Sequence, residues 1–219
     1  MSEIHHYLQE FDDAFDQLRH YQAYPRMRPF IGRLYGQYDP KILLVAESHY
    51  LPEGRSLHLD AQCWYAGSEK NFGTEDEPGW IHTRQIIDKK DGKWSARGHE
   101  IYRRLNRALS EVGYLGGGNL FRYVAFMNGF QRPAIEGKSL NVQREDLEVA
   151  TQTLNGVVDI IEPDCVIFVS SKAKRHLTKH LEVESRGVPH PACAWWYRAS
   201  KHGTGKERFI HYLSEIRSH

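Results

Sequence analysis

The sequence predicts an α/β fold of three layers (α/β/α), with helices on both faces of a central, mainly parallel sheet of four strands. The runs 42–46 and 165–169 are apolar throughout, as in strands that are buried on both faces. Apolar residues elsewhere recur at helical spacing, most regularly over 99–112 and 144–161. Strands that alternate with helices need crossover connections, and these produce parallel strands covered on both faces.

Each element has its own signal in the chain. Residues 4–18 place apolar side chains at helical spacing with acidic residues opposite, Gly113 suits a helix end, and Pro163 prevents a helix from continuing. Residues 51–98 show no sustained period, which predicts a long irregular insertion. The predicted elements are helices at 4–18, 99–112, 144–161, from 171 and at 204–216, and strands at 41–46, 121–127, 165–169 and 182–188.

Composition argues against several classes of protein. The length of 219 residues suits one domain, which we expect to span residues 1–219 around the insertion at about 51–98. Three cysteines without a closely spaced pair argue against a disulfide framework and against a zinc or iron–sulfur site. No apolar run is long enough to cross a membrane, and the polar N-terminus does not resemble a signal peptide. We therefore expect a cytoplasmic monomer without a membrane partner.

Three polar side chains follow predicted strands. Glu47, Asn128 and His190 come directly after the first, second and fourth strands. Because ligands of such sheets bind beyond the carboxyl ends of the strands, we expect the three to meet at one edge. Structural alternatives remain open: Glu47 can cap a helix or pair with an arginine, Asn128 with Gly129 is a turn signal, and His190 can be a satisfied surface histidine.

Three segments resemble motifs of the uracil-DNA glycosylase superfamily. Ile42–His49 resembles the first motif, an apolar strand that runs into a turn with the water-activating residue. Tyr123–Pro133 resembles the following part of the family pattern and brings Asn128 near its base-reading asparagine. Val188–Arg198 resembles the second motif, in which a strand ends in His-Pro-Ser and a loop probes the minor groove. The serine of that motif is replaced by Ala192.

The resemblance implies a uracil-DNA glycosylase-like fold and hydrolysis of the N-glycosidic bond of uracil or a related damaged base in single- or double-stranded DNA. It implies neither a cofactor nor a metal. Glu47 is the expected carboxylate that stabilises charge on the sugar, His190 the imidazole that stabilises the leaving base, and Asn128 the amide that reads the base. Further candidates are Ser48, His49, Tyr50 and Trp64 for substrate binding, and Trp195, Trp196, Arg198 and Lys201 for DNA binding.

The loop at 191–198 is expected to face the DNA. Trp195 and Trp196 are adjacent, and neighbouring side chains of an extended segment point to opposite sides, so one ring should be exposed. Residues 170–219 also carry ten lysines and arginines against four acidic residues, which suits contact with phosphates. The plain alternative is a solvated charged face, with the aromatic rings in the core.

Two other functions remain open. One is a non-catalytic member of the same fold that binds nucleic acid or a free nucleobase. The other is a metal-dependent hydrolase, although the side chains of suitable type have no ligand spacing. A thiol nucleophile at Cys193 and a serine nucleophile at Ser48 lack the surrounding motifs of those enzymes. The side chains of metal-ligand type are Glu47, His49, His58, Asp60 and His190.

Overall fold

The computed structural model describes residues 5–37, 40–71 and 77–218 and shows a mainly parallel sheet flanked by helices. Its strands are β1 (Phe30–Ile31), β2 (Ile42–Ala46), β3 (Tyr50–Leu51), β4 (Ala125–Asn128), β5 (Ala134–Ile135), β6 (Cys165–Phe168) and β7 (Ser185–Gly187). Within the described residues the main sheet has five strands in the order β1-β4-β2-β6-β7, with β1 antiparallel and the others parallel. The α/β class and the mainly parallel sheet are therefore confirmed.

The helices cover both faces of this sheet. They are α1 (Asp12–Phe15), α2 (Arg19–Ala23), α3 (Ala61–Ala66), α4 (Glu77–Trp80), α5 (Thr83–Ile87), α6 (Glu100–Glu111), α7 (Arg144–Ile161), α8 (Ser171–Leu177) and α9 (Gly205–Arg217). Successive residues of β2 face opposite sides: Leu43 and Val45 share a core with α7 and α8, whereas Leu44 and Ala46 share one with α6 and α9. Because its side chains point alternately to the two faces of the sheet, β2 contributes to two separate cores, one on each face.

The sheet has one strand more than the sequence predicts. β1 lies in the connection that Pro25 and Pro29 punctuate, and it pairs antiparallel with β4 through Phe30 and Phe126. A strand of two residues is too short to show a period in the sequence. Its position depends on pairing with β4, which is distant in the sequence and comes close only in the folded sheet.

The helix predicted at 4–18 is wrong in its first half. The backbone of Tyr7 forms an antiparallel bridge with Gly32, and the Leu8 amide donates to the Ile31 carbonyl at 2.7 Å, so this segment pairs beside the end of β1 and is not helical. Residue Ile4 lies outside the described residues. Similarly, the strand predicted from 121 begins at Ala125, because Leu120–Tyr123 forms a 3-10 turn.

The longer helices agree with the predictions at 99–112, 144–161 and 204–216. α7 ends at Ile161, just before Pro163, as expected. α8 begins at Ser171, but its N-cap is Ser170, whose hydroxyl accepts a hydrogen bond from the Ala173 amide at 3.2 Å.

The predicted insertion carries α3, α4 and α5, and its residues 72–76 lie outside the described part of the chain. β3, which leads into it, pairs in parallel with β5 and fastens it to the segment that follows β4. No helix in the described ranges is both long and apolar enough to span a membrane.

Candidate active site

The carboxyl ends of β4, β2, β6 and β7 meet at one edge of the main sheet. β4 pairs directly with β2, and Asn128, the last residue of β4, lies opposite Ala46. Asn128 is therefore close to Glu47, the residue that follows Ala46. Ser170 follows β6, and His190 follows β7. We call this edge, with Glu47, Asn128, Ser170 and His190, the rim. The topology thus brings the three residues selected from the sequence to one side of the sheet.

The Glu47 carboxylate is held by four donors. Its Oε1 accepts hydrogen bonds from the Ser139 hydroxyl at 2.5 Å and the Leu140 amide at 3.1 Å, and its Oε2 accepts one from the Ser170 hydroxyl at 3.2 Å. The ammonium of Lys172 lies 3.5 Å from Oε1 and forms an ion pair. Glu47 therefore pairs with a cation, as one structural alternative anticipated, but the cation is a lysine.

These donors keep Glu47 charged. Burial acts to raise the pKa of Glu47, but the hydrogen bonds from Ser139, Leu140 and Ser170 and the charge of Lys172 together hold it below its usual value. Oε2 accepts a single hydrogen bond from the described residues, which leaves it able to accept another from a water. The rim thus presents a fixed anion with one free acceptor position.

The His190 ring has one preferred tautomer. Its Nδ1 accepts a hydrogen bond from the Ala192 amide at 3.1 Å, so a neutral ring carries its proton on Nε2. Burial lowers the pKa of His190, Glu47 raises it and Arg104 lowers it, with a net shift below the usual value. The imidazole is therefore neutral at neutral pH and presents an Nε2–H donor.

Arg104 on α6 fixes the loop that carries His190. Its Nη1 donates to the Pro191 carbonyl at 2.7 Å, and its guanidinium lies 4.8 Å from the centre of the Tyr197 ring. Glu100 accepts from its Nε at 2.6 Å and holds the side chain in place. Arg104 therefore holds the loop after His190 at two points, the Pro191 carbonyl and the Tyr197 ring.

Asn128 and Ser48 leave hydrogen-bonding groups unused. Asn128 is 6% exposed, and its side-chain amide bonds to no other described residue. The Ser48 hydroxyl is buried and also has no partner among the described residues. The Asn128 amide is not among the fully buried atoms without a partner, so it remains accessible to a polar ligand, whereas the Ser48 hydroxyl is a buried group of a kind that normally has a partner. Asn128 ends β4 and is followed by a bend at residues 129–132, and its carbonyl accepts a hydrogen bond from the Gln131 side chain at 2.6 Å, so the alternative of a turn residue also fits this position.

Tyr50 remains close to Glu47, whereas the His49 ring contacts the insertion. Burial raises the pKa of the half-buried Tyr50, and the neighbouring Glu47 carboxylate raises it further. His49 is buried, with its Nε2 3.0 Å from the Thr83 hydroxyl, and burial lowers its pKa to about 3. The role of His49 in substrate binding stays a prediction; in this structure Thr83 of α5 supplies a hydrogen-bonding partner to the buried ring.

Trp64 and Trp196 are core residues, with none of either side chain exposed. Trp64 stacks on Tyr24 with ring centres 4.4 Å apart, and its Nε1 donates to the Gln131 carbonyl at 3.1 Å. Trp196 packs with its ring centre 5.8 Å from that of Phe209 on α9. Their expected roles in base stacking and DNA contact are corrected, because both rings are fully buried in the core, where Trp64 packs on Tyr24 and Trp196 on Phe209.

Trp195 lies on the opposite side of the loop and is 49% exposed. The Arg198 guanidinium lies 5.4 Å from the centre of its ring, and Tyr197 is 51% exposed. Lys201 and Arg198 are exposed as well. The prediction that one of the two adjacent tryptophans faces solvent is confirmed. We call Trp195, Tyr197, Arg198 and Lys201 the loop surface.

Side chains that ligate metals do not gather at the rim. In the part of the chain that the structure describes, no group of three histidine, cysteine, aspartate or glutamate residues is arranged to hold a metal ion. His49 is held by Thr83, and Asp60 caps α3 by accepting from the Cys63 amide at 2.8 Å. His58 is buried away from solvent. The described residues therefore provide no ligand set for a metal-dependent hydrolase.

The groups that surround Glu47 were not among the residues predicted from the sequence. Ser170 follows a strand end, so the rule that selected Glu47 also applies to it. Lys172 lies on α8 and donates to the Leu140 carbonyl at 2.6 Å, which joins it to the connection before α7. Ser139 lies in that irregular connection, where no local pattern marks it. Only the folded chain brings these donors together.

No protein-family model matches this chain, and no curated protein matches it. The rim and the loop surface are the features from which its function is inferred.

Proposed function

We propose that this chain is a uracil-DNA glycosylase-like hydrolase that cleaves the N-glycosidic bond of uracil or a related damaged base in DNA. The observation that carries the proposal is the rim, where a charged carboxylate, a neutral imidazole with a donor N–H and an unengaged amide follow the carboxyl ends of β2, β7 and β4 at one edge of the sheet. The resembling motifs, which occur in the family's order and at strand ends, support it. The uracil-DNA glycosylase type of the three-layer fold is part of the proposal.

Glu47 acts on the sugar in this mechanism. As the bond between C1′ and the base nitrogen breaks, positive charge develops on the deoxyribose, and the fixed carboxylate stabilises that charge. The free acceptor position of Oε2 orients a water, whose oxygen bonds to C1′ while its proton passes to the Glu47 carboxylate and from there to solvent; the departed base anion takes up a proton from solvent. Because Ser139, Ser170 and Lys172 already hold the carboxylate, little reorganisation accompanies the reaction.

His190 and Asn128 act on the base. The base leaves with the electron pair of the glycosidic bond, and the Nε2–H of neutral His190 donates to the oxygen on which the negative charge develops. The lowered pKa of His190 keeps the imidazole neutral before reaction. The Asn128 amide offers a donor and an acceptor side by side, which suits the edge of a base that has been flipped out of its stack.

The purified protein is expected to release uracil from an oligonucleotide and to leave an abasic site, because the rim supplies groups for both the sugar and the base. The measurement is strand cleavage by alkali after incubation, on single- and double-stranded DNA and on a panel of modified bases. The same oligonucleotide with thymine in place of uracil is the control. No release from any base in the panel would overturn the proposed activity.

A non-catalytic protein that binds nucleic acid or a nucleobase is the second candidate. The observation in its favour is the set of four donors on Glu47, since a carboxylate with a purely structural role is held in the same way. This function predicts binding of uracil-containing DNA without formation of an abasic site. Binding and release measured on one oligonucleotide therefore separate the two candidates.

Replacing Trp195 by alanine is expected to weaken DNA binding by about fivefold or more, because stacking of a base on an exposed ring contributes about 1–3 kcal/mol. The free energy of unfolding should change by less than about 0.5 kcal/mol, as for most exposed positions. Anisotropy of a labelled oligonucleotide and urea unfolding measure the two effects. Trp80→Ala is the matched control, because Trp80 is also exposed (40%) but lies in α4. Equal binding by both variants would exclude Trp195 from the interface.

A further inference from the structure

A cleft of about 230 Å³ opens beside β7, which is the last strand of the main sheet on that side. It lies between α8, α9 and the segment that follows β7, and Pro189, the residue before His190, contributes to its wall. We call it the edge cleft. The residues that matter here are Ser171, Lys174, Arg175, Thr178, Gly187 and Arg208.

The edge cleft concentrates positive charge. Lys174, Arg175 and Arg208 line it, and no acidic residue does. Considering the described residues only, none of these three cations forms an ion pair with a carboxylate. By contrast, Arg186 on β7 is paired with both Glu184 and Glu215. Like charges that face a shared concave surface without a counter-ion produce a field that attracts anions.

Two of the cations are positioned by the end of β7. The Arg208 Nη2 donates to the Gly187 carbonyl at 2.8 Å, and its guanidinium lies 5.9 Å from the centre of the Tyr212 ring. A Cβ atom at Gly187 would come within 2.4 Å of Lys174 Cδ, so the glycine is what allows the lysine to lie against the strand. The main chain at the end of β7 therefore fixes the positions of two of the cationic side chains that line the cleft.

The donors suit a phosphate. A guanidinium group offers paired N–H donors that match two phosphate oxygens, and an ammonium group acts as a point charge beside them. Ser171 adds an exposed hydroxyl at the wall. The volume accommodates a phosphate group with its ester oxygens and some water, while the charges disfavour an apolar occupant.

We propose that the edge cleft binds a phosphate group, and that this phosphate belongs to the backbone of the DNA strand whose base reaches His190. The second part rests on the proposed function. Pro189 and His190 are consecutive, so a strand that presents a base to the imidazole carries its neighbouring phosphates past the cleft. The edge cleft then holds the strand in register while the rim acts on the base.

Lys174→Gln tests the proposal, with Lys70→Gln as its control because Lys70 is an exposed lysine outside the cleft. Gly187→Ala is a second variant, which displaces Lys174 without changing the net charge. Wild type and the control should bind inorganic phosphate in a calorimetric titration, and both cleft variants should bind it at least about tenfold more weakly. For DNA, the slope of log affinity against log salt should fall by about one in Lys174→Gln, the change expected when one phosphate contact is lost.

Melting temperatures close to that of wild type establish that the variants are folded. Absence of phosphate binding by wild type, or equal binding by all variants, would overturn the site. Phosphate binding that depends on Lys174, with no change in the DNA salt slope, would overturn the backbone assignment and indicate a free phosphate compound. Uracil release by wild type in the same preparation reports on the proposed function separately.

Discussion

Replacing Glu47 by glutamine is expected to lower the rate of uracil release by about 10²–10³-fold, the effect typical of removing one preorganised electrostatic group from an active site. Glutamine keeps the size of the side chain but loses the charge that opposes positive charge on the sugar. Single-turnover release from a uracil-containing oligonucleotide measures the chemical step. Affinity for the same oligonucleotide should change far less, because the charge acts in the transition state.

Ser139→Ala is the matched control for this experiment. It removes one hydrogen bond to Glu47 Oε1 but leaves the charge and the contacts with Leu140, Ser170 and Lys172. The rate should therefore fall only a few-fold, whereas full activity in Glu47→Gln would remove that carboxylate from the mechanism. Urea unfolding of both variants separates a chemical effect from a loss of folded protein.

Lowering the pH from 6 to 4 is expected to reduce the free energy of unfolding by about 5 kcal/mol through two buried histidines. Burial, with a smaller contribution from a neighbouring histidine, lowers the pKa of His20 and of His49 from 6.5 to about 3. The unfolded chain takes up a proton at each of them below pH 6.5, but the folded chain does so only near pH 3. The stability is thus fully present above pH 6.5 and is lost towards pH 3, at about 1.4 kcal/mol per pH unit for each histidine.

His20→Phe isolates one of these contributions. Phenylalanine can retain the stack on Tyr24, where the ring centres are 5.2 Å apart, and it removes a buried Nε2 that has no partner among the described residues. The slope of the free energy of unfolding against pH, from urea unfolding between pH 4 and 7, should decrease by about 1.4 kcal/mol per pH unit. His202→Phe, at an exposed position, should leave the slope as in wild type. An unchanged slope in His20→Phe would show that its burial does not govern acid stability.

The class of fold and three residues of the rim could be predicted from the sequence because their signals are local. The apolar run 42–46 identifies a strand buried on both faces, and helical spacing identified α6, α7 and α9 closely. Parallel strands place their carboxyl ends on one edge, so Glu47, Asn128 and His190 follow from the order of the elements alone. The exposure of one of two adjacent tryptophans followed from the alternation of side chains.

Only the tertiary structure decided which groups surround those residues. Ser139 and Lys172 reach Glu47 from segments about 90 and 125 positions further along the chain, and no local period encodes that meeting. The alternation of side chains along the loop predicts that one of the two tryptophans is exposed, but it does not predict which one. Packing against Phe209 buries Trp196 and leaves Trp195 exposed. Local sequence reports which residues of an element are apolar, whereas the partner that satisfies a polar group, or covers an aromatic ring, is set by long-range packing of the whole chain.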